Sequence, residues 1–138
     1  MQAAILRVKL RHLDSWIDRR RAIAARYASA CERLSAIGLP TVPPDSHHAY
    51  HQFTIRVAER DSVVRRLGER GIQTMVYYPV PLHLQPVHAN LGLSARDFPH
   101  AERAAAEVLS LPMFPELEDG EMDRVLQVLE EVTTPVAV

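Results

Sequence analysis

The side chains best suited to chemistry lie between Tyr50 and His83. In Tyr77-Tyr78-Pro79-Val80-Pro81-Leu82-His83, two prolines flank one residue, with tyrosines before them and a histidine shortly after. Each proline holds its φ near about −65°, so the turn is stiff and points a phenol and an imidazole in set directions. Both groups exchange hydrogen bonds with hydroxyls or anionic oxygens, and a rigid turn after a strand is a common place for ligand-facing side chains. Tyr50 and His51 repeat the pairing of phenol and imidazole further up the chain. The plainer alternative is that the tyrosines pack on a sheet and His83 satisfies a turn.

Other candidates have simpler explanations. Seven histidines invite a metal site, but His47 and His51 straddle a loop without nearby carboxylates or thiolates, and nothing in the pattern makes His83 and His88 converge. No metal is expected. Arg19-Arg20-Arg21 are consecutive on a helix, about 100° apart, so they cannot share one anion. With Asp14 and Asp18 beside them they read as a solvated face. Cys31 falls on an apolar seam and reads as a packed thiol. Trp16, one residue off that seam, widens it.

Several elements must position these groups. Residues 2 to about 36 read as a single long helix with apolar positions at Ala3, Leu6, Leu10, Leu13, Ile17, Ala24, Tyr27, Cys31 and Leu34, a heptad-like stripe broken only by Arg20. Gly38 and Pro40 end it, and residues 39–48 form a proline-rich linker. At about 1.5 Å per residue this helix would span roughly 50 Å, enough to bridge two bodies or pair with a partner. Phe53, Ile55 and Val57 alternate with polar residues as in a half-buried strand. Asp61 is placed to cap a helix that ends at Gly71. Ile72 to Tyr78 reads as a second strand, residues 84–97 as a loop with a helical turn, Pro99 to Glu107 as a helix and Val108 to Leu111 as a third strand. A last helix starts near Asp119. The order predicts an α+β sandwich, a small, mostly antiparallel sheet of about three strands covered by helices.

Composition sets outer limits. The length of 138 residues suits one domain with a real core, and 47% hydrophobic against 24% charged residues is globular. A formal charge of −1 argues against nucleic acid as a partner. No apolar run approaches a membrane span, and no secretory leader is apparent at the start. One cysteine fits a reducing cytoplasm. There is one lysine, Lys9, against fifteen arginines.

Several of these stretches together resemble the DegT/DnrJ/StrS-type sugar aminotransferases, pyridoxal-phosphate enzymes of fold type I. They are Gln2-Ala3-Ala4-Ile5-Leu6 with Lys9-Leu10, Arg20-Arg21 through Ala25 and Tyr27, and His48-Ala49-Tyr50-His51-Gln52-Phe53. Arg60-Asp61, Gly71-Ile72 and Tyr78-Pro79-Val80-Pro81-Leu82-His83 follow, then Phe98-Pro99-His100-Ala101-Glu102 and Leu109 to Pro115. The resemblance implies that residues 1–138 are the family's C-terminal small domain, with residues 1–36 as the helix that bridges to a large N-terminal domain of about 200 residues or more. That large domain holds the cofactor phosphate, the aspartate facing the pyridine nitrogen and the Schiff-base lysine. On this resemblance, no catalytic or cofactor-binding residue is expected in the chain, and no pyridoxal phosphate is expected on the chain alone. Lys9, in a regular helix between Arg7 and Arg11, is expected to be structural or solvent-facing.

The resemblance further implies amination of a nucleotide-linked keto sugar, with glutamate as donor, in the making of surface polysaccharides or amino-sugar metabolites. The enzyme would be a homodimer. Tyr78 and His83 would touch the substrate, with Tyr50 and His51 as further contacts. Two alternatives stay open. One is a non-catalytic interaction or small-molecule-binding module derived from such an enzyme. The other is a sugar dehydratase of the same family, in which histidine replaces the lysine.

Overall fold

A computed structural model describes residues 1–134. The chain begins with two helices, α1 (Gln2–Leu10) and α2 (Leu13–Cys31), and a short strand β1 (Ile37–Gly38). Strand β2 (Phe53–Val57) leads into α3 (Arg60–Glu69). Two 3-10 turns, Leu82–Leu84 and Pro86–Leu91, precede α4 (Pro99–Glu107), which runs directly into β3 (Val108–Leu111) and then α5 (Asp119–Thr133). The sheet order is β1-β2-β3, antiparallel throughout, with Ile55 opposite Leu109 and Ile37 opposite Val57.

Alternation along β2 decides where the core lies. Phe53, Ile55 and Val57 are buried on one face and meet Leu109 and Leu111 of β3. Against this face pack Ile23, Ala24, Tyr27 and Cys31 from α2, Val63 and Leu67 from α3, and Met122, Val125, Val128, Leu129 and Val132 from α5. Each fully buried Val, Leu, Ile or Met among them contributes about 1.5–3 kcal/mol of transfer free energy. Thr54 and Ser110 point to the opposite face, where their hydroxyls bond at 2.8 Å. Arg56, on that face too, donates through Nε to Glu107 of α4 at 2.9 Å. Helices therefore cover one face fully, and α4 lies apart from the core cluster.

The helix ends follow local chemistry. Gly71, at φ +79°, adopts the left-handed conformation that closes α3. The Gly71 N–H then bonds Gly68 O, and the Ile72 N–H bonds Leu67 O, the paired bonds of a Schellman motif. Glu118 and Glu121 form a capping box at the start of α5. α3 is capped two residues earlier than expected. Its N-cap is Glu59 in the left-handed region, and Asp61 lies in the first turn, where it accepts from Arg60 Nε at 2.6 Å.

Two larger expectations are corrected. The single helix over residues 2–36 is two helices, ending at Cys31. At the break the Arg11 and His12 N–H groups bond Val8 O and Lys9 O, three residues back instead of four. The Ser15 hydroxyl also takes His12 O at 2.8 Å, competing with the backbone ladder there. The second correction concerns residues 72–78, which are not a strand. They touch β3 through one isolated bridge, Met75 with Ser110, whose two N–H···O bonds measure 3.1 and 2.8 Å. The next hydrogen-bonded pairs would be residue 73 with 112 and residue 77 with 108. Pro112 has no N–H to give, and the Val108 N–H is already donated to Ala104 O at the end of α4. The ladder stops on both sides, and Ile37–Gly38 supplies the third strand of the sheet.

Candidate functional site

The proline turn holds His83 and Tyr78 in opposite environments. Pro81 is extended, at φ −60° and ψ 147°, and the 3-10 turn that follows carries His83 inward. The imidazole is buried, with its ring centroid 4.8 Å from that of Phe98. Its Nε2 lies 3.0 Å from Glu102 Oε1 in the first turn of α4, and the same oxygen accepts the Arg96 backbone N–H at 2.7 Å. Burial works to raise the Glu102 pKa, but the bonds from the Arg96 amide, His83 and the Phe98 amide prevail and hold it below the usual glutamate range.

Tyr78 stands in the open, 74% exposed, its ring edge-on to Tyr77 at 5.8 Å across a cis peptide. The two tyrosines border a shallow cleft of about 280 Å³ with Val80, Pro81, Leu82 and Gln85. Tyr77 also borders a larger cleft of about 690 Å³ on its other side, between the 71–77 segment, the loop after β3 and α5. Polar groups at this larger cleft include Gln73, Thr74, Glu121 and Arg124.

Tyr50 and His51 reach the molecule's surface by a different route. Tyr50 has φ +47°, and its N–H bonds His48 Nδ1 at 3.0 Å. Its ring rests against His48 at 4.4 Å and Phe53 at 6.1 Å, so much of the phenol serves packing. His51 is exposed and borders the larger cleft. Tyr77 and His51 thus share the larger cleft, Tyr78 borders the smaller one, and His83 sits behind the turn bound to α4.

Residues 19–21 need correction. They do not form a merely solvated face. Arg20 Nη1 approaches Tyr50 O, His51 O and Met113 O at 3.2, 3.3 and 3.1 Å. Arg21 Nε donates to His48 O at 3.2 Å, and Arg19 Nη2 donates to Leu117 O at 2.7 Å and Asp119 at 3.1 Å. The triplet fans out, as its spacing requires, and staples two loops to α2. The available signal was Arg20 on the apolar stripe, since a charge facing the core side needs acceptors there. Glu102 was visible in the sequence only as part of a motif, with nothing to show that it would meet His83.

Cys31 is buried, and desolvation pushes its thiol up to about 11, so it stays protonated in the core. Among the described residues, no three potential metal ligands come together. Lys9 is exposed on α1 and borders none of these clefts. No helix of the described residues is long and apolar enough to cross a membrane.

The profile of the DegT/DnrJ/EryC1/StrS aminotransferase family matches residues 1–130. The chain is 50% identical to a pleiotropic regulatory protein of Geobacillus stearothermophilus, over 95% of this chain and 36% of the relative. It is 46% identical to the dTDP-3-amino-3,4,6-trideoxy-alpha-D-glucose transaminase of Streptomyces venezuelae, over 95% of this chain and 35% of the relative. Among solved structures, S. venezuelae DesV in complex with a ketimine intermediate superposes with a TM-score of 0.95 at 44% identity, covering 99% of this chain and 37% of that one. The chain therefore spans about a third of the length of the curated relatives it matches.

Proposed function

Because the chain belongs to the DegT/DnrJ/EryC1/StrS aminotransferase family, we propose that it is the small C-terminal part of an enzyme that transfers an amino group to a nucleotide-linked keto sugar. The observation that carries this is the 46% identity to a dTDP-amino-sugar transaminase across nearly the whole chain. The relatives are about three times as long, so the cofactor would be held by the remainder of the enzyme. Pyridoxal phosphate in that remainder would supply the amino-group chemistry. The residues described here do not fit the cofactor by themselves. The only lysine, Lys9, is exposed on α1 and away from the clefts, and no step is assigned to it.

Within that enzyme this chain would form one wall of the substrate site. Tyr78 offers a phenol hydroxyl at an exposed edge, in a direction set by Pro79. His83 would present its imidazole from behind the turn, and Tyr50 and His51 would line the neighbouring loop held by Arg20. Glutamate as donor, a homodimeric assembly and a cytoplasmic setting belong to the same proposal, the last supported by the single reduced cysteine. A regulatory or binding module is the second possibility, favoured by the name of the 50% identical relative.

The test is amine formation on dTDP- and UDP-linked 3-keto sugars with glutamate, using the complete enzyme that carries this segment. Tyr78→Phe is expected to lower turnover roughly 5- to 150-fold through one lost hydrogen bond, with unchanged melting temperature. Loss of sugar oxygen without gain of amine would assign the dehydratase reaction instead. No turnover of any keto sugar by a folded, cofactor-loaded enzyme would leave the module.

A further inference from the structure

The His83 ring is buried. Its side chain is 6% exposed, and Nε2 is engaged with Glu102 at 3.0 Å. Among the described residues Nδ1 makes no hydrogen bond, yet no buried side-chain nitrogen or oxygen lacks a partner. Nδ1 is therefore the ring nitrogen that the described residues leave unengaged. A carboxylate accepts but does not donate, so the proton of a neutral His83 ring must lie on Nε2. Glu102 does more than hold this ring. Its Oε1 also fixes the Arg96 N–H, in a residue at φ +84°, where a side chain is rarely accommodated. One carboxylate oxygen thus ties the Leu82–Leu84 turn, the loop at Arg96 and the first turn of α4 together.

We propose that Glu102 is a positioning residue that acts through His83, fixing its ring so that Nδ1 is the nitrogen offered to a ligand. The proposal rests on the placement of His83 in the substrate site given above. Toward a sugar hydroxyl, Nδ1 of the neutral ring accepts. The Glu102 carboxyl is held below the usual glutamate range, since its bonds from Arg96, His83 and Phe98 outweigh the effect of burial, so it stays an acceptor for Nε2–H.

The experiment has two arms. In the 138-residue chain, the His83 Nε2–H proton is expected as a slowly exchanging resonance in the proton NMR spectrum, retained in Glu102→Gln and absent in Glu102→Ala. In the complete enzyme, kcat/KM for the keto sugar is compared for Glu102→Ala, Glu102→Gln, His83→Ala and the Glu102→Ala/His83→Ala double variant, each checked by thermal melting. Glu102→Ala is expected to lose about 10- to 100-fold, the scale of a misplaced binding group. Glu102→Gln, whose amide oxygen still accepts both bonds, recovers most of that loss and stands in if the alanine variant does not fold. The double variant falls no further than His83→Ala alone. Full, additive losses in the double variant overturn the proposal, as does an unimpaired Glu102→Ala beside an impaired His83→Ala. Full turnover in His83→Ala overturns it too, by removing His83 from the substrate site. The persisting resonance then locates the failure in that placement and not in the Glu102 contact.

Discussion

Arg20 offers a direct test of how α2 supports the candidate site. Its Nη1 carries two hydrogens and lies within 3.1–3.3 Å of three backbone carbonyls, so at least one hydrogen is shared. Two of these carbonyls belong to Tyr50 and His51 and the third to Met113, so a single side chain joins loops 48–51 and 112–118. Arg20→Met keeps much of the apolar stem but leaves these oxygens without their donor. Hydrogen bonds to a charged group contribute about 1.5–3 kcal/mol each, and the long distances argue for the low end. Two such bonds, shared among three acceptors, make the expected loss about 2–4 kcal/mol, a large share of a domain's stability. For a chain of this size that lowers the melting temperature by roughly 6–16 °C. Circular dichroism melts measure this, and amide NMR shifts of Tyr50, His51 and Met113 show whether the change is local. Arg20→Lys is expected to recover only part of the loss, because one ammonium cannot match the planar fork. A melting temperature for Arg20→Met within about 2 °C of the wild type, with those amides unmoved, would refute the staple.

Other consequences follow from charge and exposure. Ile5, Leu6, Val8 and Leu10 are all more than half exposed on α1, so the 138-residue chain is expected to self-associate at about tens of micromolar. Sedimentation velocity should show this and should return a monomer for Leu6→Glu/Leu10→Glu, whereas a wild-type monomer would contradict it. Pyridoxal phosphate titrated into the chain is expected to give no stoichiometric aldimine absorbance, and a band abolished by Lys9→Ala would overturn that expectation. Asp119 is held below the usual aspartate range by Arg19 first and by Arg26, and Glu131 below the glutamate range by Arg70 and Gln127. Depressed carboxylate pKa values contribute stability above the unfolded-state values, near about 4, and lose it as pH falls through the folded ones. The melting temperature is therefore expected to fall below about pH 4, with a shallower slope in Asp119→Asn/Glu131→Gln.

Patterns that depend on neighbours in the chain were legible before the structure. The period-two run from Phe53 to Val57, the proline at the start of α4, the glycine closing α3 and the start of α5 near Asp119 all rest on contacts within a few residues. The family could be recognised for a similar reason, because short motifs in the right order survive without knowledge of their partners, and the profile match over residues 1–130 agrees. The apolar stripe was also placed correctly from Ala24 to Cys31. Its continuation through α1 was an apolar pattern with nothing in the described residues to cover it.

Tertiary structure decided what depends on distant donors and acceptors. The 72–78 segment carries a strand-like alternation, and Ile72, Thr74 and Val76 do turn inward. Whether it joins the sheet was settled by Pro112 and by the use of the Val108 N–H in α4, some thirty-five residues away. The break at Arg11 and His12 rests on backbone bonds that residue types do not specify, since neither proline nor glycine marks it. Arg20 was chemically conspicuous on its stripe, but its acceptors lie 30 and 93 residues off. His83 and Glu102 are 19 apart, on a turn and a helix that also meet where the His83 ring lies 4.8 Å from Phe98. Residue type gave each of these side chains its capacity to bond. Only the closing of the chain on itself selected the partner, because a hydrogen bond forms over about 3 Å and no sequence spacing encodes that distance for segments so far apart.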